Sequence, residues 1–495
     1  MPRTSYAIAA LFAIALLPAA GQGEERKDTL VLGMVLEPPG LDPTTGAAAA
    51  IGEVTHYNIY EGLAKIAADG TVAPLLAESW TVSPDQKTYA FKLRPGVRFQ
   101  NGEPFTAAAV KFTFERDAAE GSTNKEKAVY ANIAAIETPD PLTVVLKLKQ
   151  VNANLLFNLG ENTGVILDPK SAATDATYPV GTGPFLFDNW VKGASITLAK
   201  WPGYRDAAAI KIERATFRIV NDPAAQVAGL LAGDIDAFPR FGAVDSLRQF
   251  QGDARFTVTI GSTEGKTIVS INNKRKPFDD VRVRRAIAAA IDRKAVIDGA
   301  SNGLGVPIGS HYTPNDPFYI DLTGLSPYDP AKAKALLKEA GVSLPLKATL
   351  TLPPPPYARQ GGQIVAAELA EIGIDARIEM VEWAQWLDGV YKNKNYDLTI
   401  ISHVEPRDLA IYANPDYYFQ YDSQDFRDIM EKVNTTADAT GRGHWLEAAQ
   451  RRLAEDAVNV FLYVLPQATV AKKGITGLWR NSPIFANDLA AVSWQ

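Results

Sequence analysis

Residues 346–402 read LKATLTLPPPPYARQGGQIVAAELAEIGIDARIEMVEWAQWLDGVYKNKNYDLTIIS, and their pattern decides the fold class. From Leu346 to Leu352 apolar residues alternate with lysine and threonine, the period of a strand buried on one face. Gln360 to Glu371 then places its aliphatic side chains at helical intervals, with Gly373 where a helix C-terminus favours a left-handed residue. Asp375 to Val381 and Tyr396 to Ser402 return to strand patterning. Strand, helix and strand in immediate succession make a helix-on-sheet unit, so the class is α/β. The four prolines Pro353 to Pro356 fit a stiff extended connector inside it, although alone they would also make a polyproline docking motif.

The same rhythm runs outward in both directions. Strands are predicted at Thr29 to Glu37, Tyr89 to Arg94, Leu142 to Lys149, Ser195 to Trp201, Phe217 to Val220, Phe256 to Ile260 and Thr267 to Asn272. Asp279-Asp280 open a helix from Val281 to Ile291, acids at its positive end. Asp329-Pro330 open another from Ala331 to Ala340, closed by Gly341. The chain has 495 residues, and single cores stop growing near about 250 to 300, so at least two large lobes are expected.

Composition narrows the class of partner. The chain is 46% hydrophobic and 21% charged, with a formal net charge of -6, which disfavours nucleic acid because such binding needs clustered Lys and Arg. At the N-terminus Arg3 is followed by an apolar run from Tyr6 to Leu17 and by small residues at Pro18 to Gly23, which together read as a signal peptide over residues 1–23. That run is shorter than the roughly 20 apolar residues a spanning helix needs. There is no cysteine, so no disulfide framework and no lipidation site are available, and a free exported protein is expected.

Catalytic signatures are missing. The chain has no Gly-x-Ser-x-Gly elbow, no His-Glu-x-x-His and no phosphate loop; Gly261-Ser-Thr-Glu-Gly265-Lys266 is one residue short of the last and reads as a turn. His56, His311, His403 and His444 lie far apart, so only folding could gather a histidine metal site. Neither a metal nor another cofactor is expected. Paired carboxylates for glycoside hydrolysis remain open, since spacing in sequence cannot show their separation.

A series of motifs carries more information than any of these. Tyr60-Glu-Gly-Leu-Ala, Ala77-Glu-Ser-Trp80, Thr88-Tyr-Ala-Phe-Lys-Leu-Arg94, Gly96-Val-Arg-Phe99, Asn101-Gly-Glu-Pro-Phe-Thr106 and Pro179-Val-Gly-Thr-Gly-Pro-Phe185 occur in that order, followed by Pro277-Phe-Asp-Asp-Val-Arg-Val-Arg284. In order and spacing the chain resembles the family 5 extracellular solute-binding proteins of ABC importers, the peptide- and nickel-type receptors, from about Leu30 to the C-terminus. The residues also have roles of their own: Gly96, Gly102, Gly181 and Gly183 are expected at turns, and Trp80 and Phe99 in the core.

The resemblance implies a two-lobed, periplasmic-binding-protein-like (type II) α/β fold. On that pattern residues 24–54, 177–265 and 467–495 form the first lobe, 55–176 an inserted subdomain and 266–466 the second lobe. It also implies a monomeric periplasmic receptor that closes on a small polar solute, a short peptide or an amino-acid-derived compound, and delivers it to an inner-membrane permease with a cytoplasmic ATPase. Alternatives are a nickel-type chelate held by His403 with nearby carboxylates and, from another class, a periplasmic hydrolase with paired acids. A sensory adaptor role is compatible with import.

In relatives a Glu-Trp pair between strand and helix lines the pocket, and Glu382-Trp383 stands at that place; the bland alternative is a core tryptophan packing the helix Ala384 to Tyr391. Peptide-binding relatives carry Gly-Trp and then an aspartate for the peptide amine. Here Ser402-His403 replaces Gly-Trp, and the loop before Glu405-Pro406 is shorter. Glu405 or Asp408 could pair with a ligand cation and Arg407 with a carboxylate. Tyr412, Tyr417 and Tyr418 offer ring faces and hydroxyls.

Overall fold

Two long antiparallel strands, Phe256–Ile271 and Asn459–Lys472, form the spine of an eleven-stranded mixed sheet in the computed structural model. The structure describes residues 28–46, 48–436 and 438–495, so the signal-peptide reading of residues 1–23 lies outside it. At one end the spine continues into Leu398–His403, Leu346–Leu352 and Ile374–Met380. At the other it continues through Ala237–Phe238 into Thr29–Met34, Arg214–Ile219, Ser195–Lys200 and Phe185–Val191.

The spine changes neighbours at one irregularity. Pairing runs in register from Phe256 opposite Lys472 to Ser262 opposite Pro466, breaks, and resumes with Lys266 opposite Val464. Pro466 has no N–H to give to the ladder, and a bulge of this kind bends and re-aims a strand. Before the break the spine packs beside Ala237–Phe238; after it, beside Leu398–His403.

Separate cores sit on either side of the break. Helices Val281–Ala290, Pro330–Glu339 and Pro356–Glu371 cover one face of the second half with Val283, Leu337, Leu350, Val365 and Ile400. Helices Gln424–Thr435 and Ala439–Glu455 cover the other with Phe426, Met430 and Leu453. The first half packs around Leu32, Phe185 and Phe217. A four-stranded antiparallel sheet, Ala77–Val82, Thr88–Leu93, Thr143–Leu148 and Ile133–Asp140, closes a third core with helix Ala107–Ala118 around Phe91, Phe99 and Phe114.

Local chemistry accounts for the elements that the sequence predicts well. Leu346–Leu352 is a strand with the expected bounds. The Asp280 side chain accepts from the Arg282 N–H to start Val281–Ala290, and Asp329 accepts from the Lys332 N–H to start Pro330–Glu339. No helix among the described residues is long and apolar enough to cross a membrane.

Four expectations are corrected. The helix expected from Gln360 begins at Pro356, because proline is well suited to a first helical position, where its missing N–H is not needed. The strands expected at Phe256 to Ile260 and Thr267 to Asn272 are one continuous strand, so the polar stretch Gly261 to Lys266 crosses the irregularity and is not a turn. Gly96 (φ 73°) and Gly102 (φ 90°) are turn glycines with open space around them, whereas Gly181 and Gly183 are not left-handed. A Cβ on Gly181 would lie 2.0 Å from the Ile59 carbonyl oxygen, and one on Gly183 2.5 Å from that of Asn58. Phe99 is fully buried as expected; Trp80 is only half-buried.

Candidate functional site

Where the spine breaks, a cavity of about 390 Å³ opens. Thr263, Glu264, Gly265 and Pro466 line it from the spine, Val404 to Pro406 from the loop after Leu398–His403, Lys125, Glu161 and Asn162 from the chain around the small sheet, and Ser482 to Phe485 from near the C-terminus. A second cavity of about 740 Å³ lies between residues 128–154 and the segment from Arg407 to Leu446. The loop carrying Glu405 and Arg407 separates the two.

Arg407 spans the gap. Its backbone is left-handed (φ 57°), a conformation a non-glycine residue adopts only when its surroundings impose it. From there Nη2 donates to the Gly70 carbonyl at 3.1 Å and the guanidinium lies 3.9 Å from the centre of the Phe157 ring. Arg442 makes a second bridge, Nη1 donating to Gln86 Oε1 at 3.1 Å. Glu405 is exposed and lines the smaller cavity, while its carbonyl accepts from Lys266 Nζ at 2.5 Å.

Behind the loop is a buried charge network. Lys266, 0% exposed, sits 3.0 Å from Asp408 Oδ1, and Asp408 Oδ2 is 3.2 Å from His311 Nε2. Burial opposes charge on both partners. Even so, the Lys266 ammonium and then His311 hold the Asp408 carboxyl well below the usual carboxylate range, and Asp408, Asp316 and Glu264 keep Lys266 protonated. Burial, with the nearby His311 and Lys266 charges adding to it, drives His403 down to about 3, so that imidazole is neutral; burial also lowers His311. His403 Nε2 is 2.9 Å from the Tyr418 hydroxyl, and His311 Nδ1 is 2.9 Å from that of Tyr412.

The structure therefore brings Asp408, His403, Tyr412 and Tyr418 together, but inside the second half's core. Tyr412 also accepts from Asn459 Nδ2 at 3.0 Å, and Tyr418 lies nearly parallel to the His403 ring. Tyr417 is half-buried against Tyr391 and Phe419. Trp383 begins the short helix Trp383–Trp386 and is 41% exposed, edge-on to Trp386 at 5.7 Å. Trp383 is thus half out in solvent while still packing on Trp386 of the same short helix, and it lines neither cavity.

Donor atoms of His311, His403 and Asp408 lie within 4.8 Å of one another, the geometry that a histidine-and-carboxylate chelate reading needs. The Lys266 ammonium already neutralises that carboxylate at 3.0 Å, so a divalent cation would have to displace a buried, charge-matched lysine.

Sequence reasoning missed Lys125, Glu161, Glu264, Lys266 and His311. Glu264 accepts from Thr313 Oγ1 at 3.0 Å and Asn315 Nδ2 at 3.1 Å, and burial followed by the Asp316 charge pushes its carboxyl up to about 8. One signal was present: a lysine heading the apolar run Thr267 to Ile271 is a charge inside a buried strand. Lys125 and Glu161 carry no such mark.

Comparison with known proteins agrees with this architecture. Residues 71–426 match the model of bacterial extracellular solute-binding proteins, family 5 middle region. The chain belongs to this family. This solute-binding protein is 31% identical over 476 residues to the glutathione-binding protein GsiB of Escherichia coli K12, covering 89% of each chain. It is 30% identical over 384 residues to di/tripeptide-binding protein 1 of Pseudomonas aeruginosa, covering 71% of each. Among solved structures, the Helicobacter pylori periplasmic binding protein DppA in complex with the peptide STSA is 25% identical, with a TM-score of 0.78 over 94% of this chain and 98% of that one. The α/β binding-protein fold expected from the motifs is thus the fold of this chain, and its family and relatives are binding proteins rather than enzymes.

Proposed function

We propose that this protein is the periplasmic receptor of an ABC importer, capturing a short peptide or peptide-like, amino-acid-derived solute and handing it to an inner-membrane permease. The single observation that carries this is the 390 Å³ cavity at the spine irregularity, where the spine, the loop after Leu398–His403, the chain around the small sheet and the segment Ser482 to Phe485 converge. Relatives named for glutathione and di/tripeptides support the solute class. The register break at Ser262 to Lys266 and at Pro466 supports lobes bounded as 24–54, 177–265 and 467–495 for the first and 266–466 for the second, with 55–176 inserted. A solute touching both lobes stabilises the closed arrangement only by its greater affinity for it. The chelate reading is less favoured, since Lys266 already serves Asp408.

Trp383, exposed on the second half at the start of Trp383–Trp386, is proposed to come over the solute as the lobes close, with Glu405 presenting charge from the wall of the smaller cavity and Arg407 from that of the larger one. Native mass spectrometry of protein purified without refolding, followed by calorimetric titration with di- and tripeptides, tests this reading. Trp383→Ala is expected to weaken peptide binding by about tenfold or more, as for a buried aromatic at the centre of an interface. Failure of every short peptide, with tight binding of a metal chelate or another solute, would show the peptide assignment to be wrong.

A further inference from the structure

The smaller cavity has an uneven charge. Its acids are Glu161, Glu264 and Glu405 and its one flexible cation is Lys125. Glu264 is already satisfied, both carboxylate oxygens accepting from Thr313 and Asn315. Glu161 is not. It is 6% exposed, its Oε2 accepts from Asn158 Nδ2 at 3.1 Å, and its Oε1 has no hydrogen-bond partner among the described residues although the side chain lines the cavity. A carboxyl buried with an open oxygen is costly unless a donor meets it, and a cation is the strongest donor. Glu405, on the loop of the second half, and Lys125 likewise make no ion pair among the described residues and face the same space.

Resting on the reading of this cavity as the solute site, we propose that Glu161 anchors a cationic group of the solute. The preferred solute then carries two basic groups and one carboxylate, as a dipeptide containing lysine or arginine does. Glu161 and Glu405 receive the two cations from opposite sides, so the solute bridges both, and Lys125 receives the carboxylate. This takes recognition off the second-lobe loop alone and places half of it on the segment before Asn162–Gly164.

Burial pushes the Glu161 carboxyl up to about 7, with Glu126 adding to burial and Lys125 and Arg407 opposing it; the hydroxyls of Tyr57 and Tyr130 also face it and stay neutral. A cation binds the ionised form, so binding expels the proton and affinity rises with pH up to that value.

Calorimetric titration of the full chain with lysyl-alanine, alanyl-alanine, alanyl-glutamate and free L-arginine tests the assignment. Lysyl-alanine is expected to bind at least about tenfold more tightly than alanyl-alanine, with alanyl-glutamate weakest, and to gain roughly tenfold between pH 5.5 and 7. Glu161→Gln, which keeps the Asn158 contact, is expected to remove both the preference and the pH dependence. Dipeptides that bind with no charge preference, or unchanged affinity in Glu161→Gln, would overturn the assignment while leaving the receptor reading intact. If no dipeptide binds, the peptide reading has failed and L-arginine decides: binding that needs Glu161 sustains the assignment, and no binding ends it.

Discussion

Replacing Lys266 by methionine is expected to lower the free energy of unfolding by about 3 to 5 kcal/mol, the range for removing one partner of a buried ion pair. The side chain is wholly inside, 3.0 Å from Asp408 Oδ1 and 2.5 Å from the Glu405 carbonyl oxygen. Methionine keeps the volume but leaves the Asp408 carboxylate in a low-dielectric interior without its cation, and takes from the buried Asp316 and Glu264 the same ammonium that favours their ionised forms. The double variant Lys266→Met with Asp408→Asn removes the stranded charge and should recover at least half of the loss. Urea unfolding followed by circular dichroism reads both. A loss below about 1 kcal/mol in the single variant would mean that water reaches Asp408 and that the pair behaves as a surface one. Because Glu405 and Arg407 lie on the same loop, the single variant should also weaken solute binding, and the double variant should separate that effect from stability.

Gly181→Ala is expected to be at least as damaging, by about 3 kcal/mol or more, at the upper end of overpacking. Its added methyl would meet the Ile59 carbonyl oxygen at 2.0 Å and the Tyr60 ring at 2.9 Å, and a backbone carbonyl cannot rotate away as a side chain can. Gly96→Ala, by contrast, meets nothing within 4 Å but must hold φ at 73°, a strain of about 1 to 2 kcal/mol. Thermal unfolding of the two variants side by side separates crowding from backbone strain. Equal losses would show that the Ile59 backbone yields. This junction joins Phe185–Val191 to the chain leading into the small sheet, so Gly181→Ala should also reduce the yield of soluble protein.

Local pattern by itself determined the α/β class, the strand at Leu346–Leu352, and the helices capped by Asp280 and Asp329. A cap, a period of two and a period of 3.6 act over a few residues, and every residue that sets them is adjacent in the chain. Motif order also carried family membership, because glycine and aromatic spacing reflects close approaches and cores that a family shares. Only the tertiary structure decided that Gly261 to Lys266 continues a strand, since its polarity answers to Thr313 and Asn315 some fifty residues away. The same holds for the site. Asp408 finds Lys266 and His311, Arg407 finds Gly70 and Phe157, and Glu161 comes to face the loop of Glu405, all through long-range packing that no local spacing encodes. Which charges are buried, and which of those stay open to a solute, depends on what the rest of the chain leaves unfilled around them.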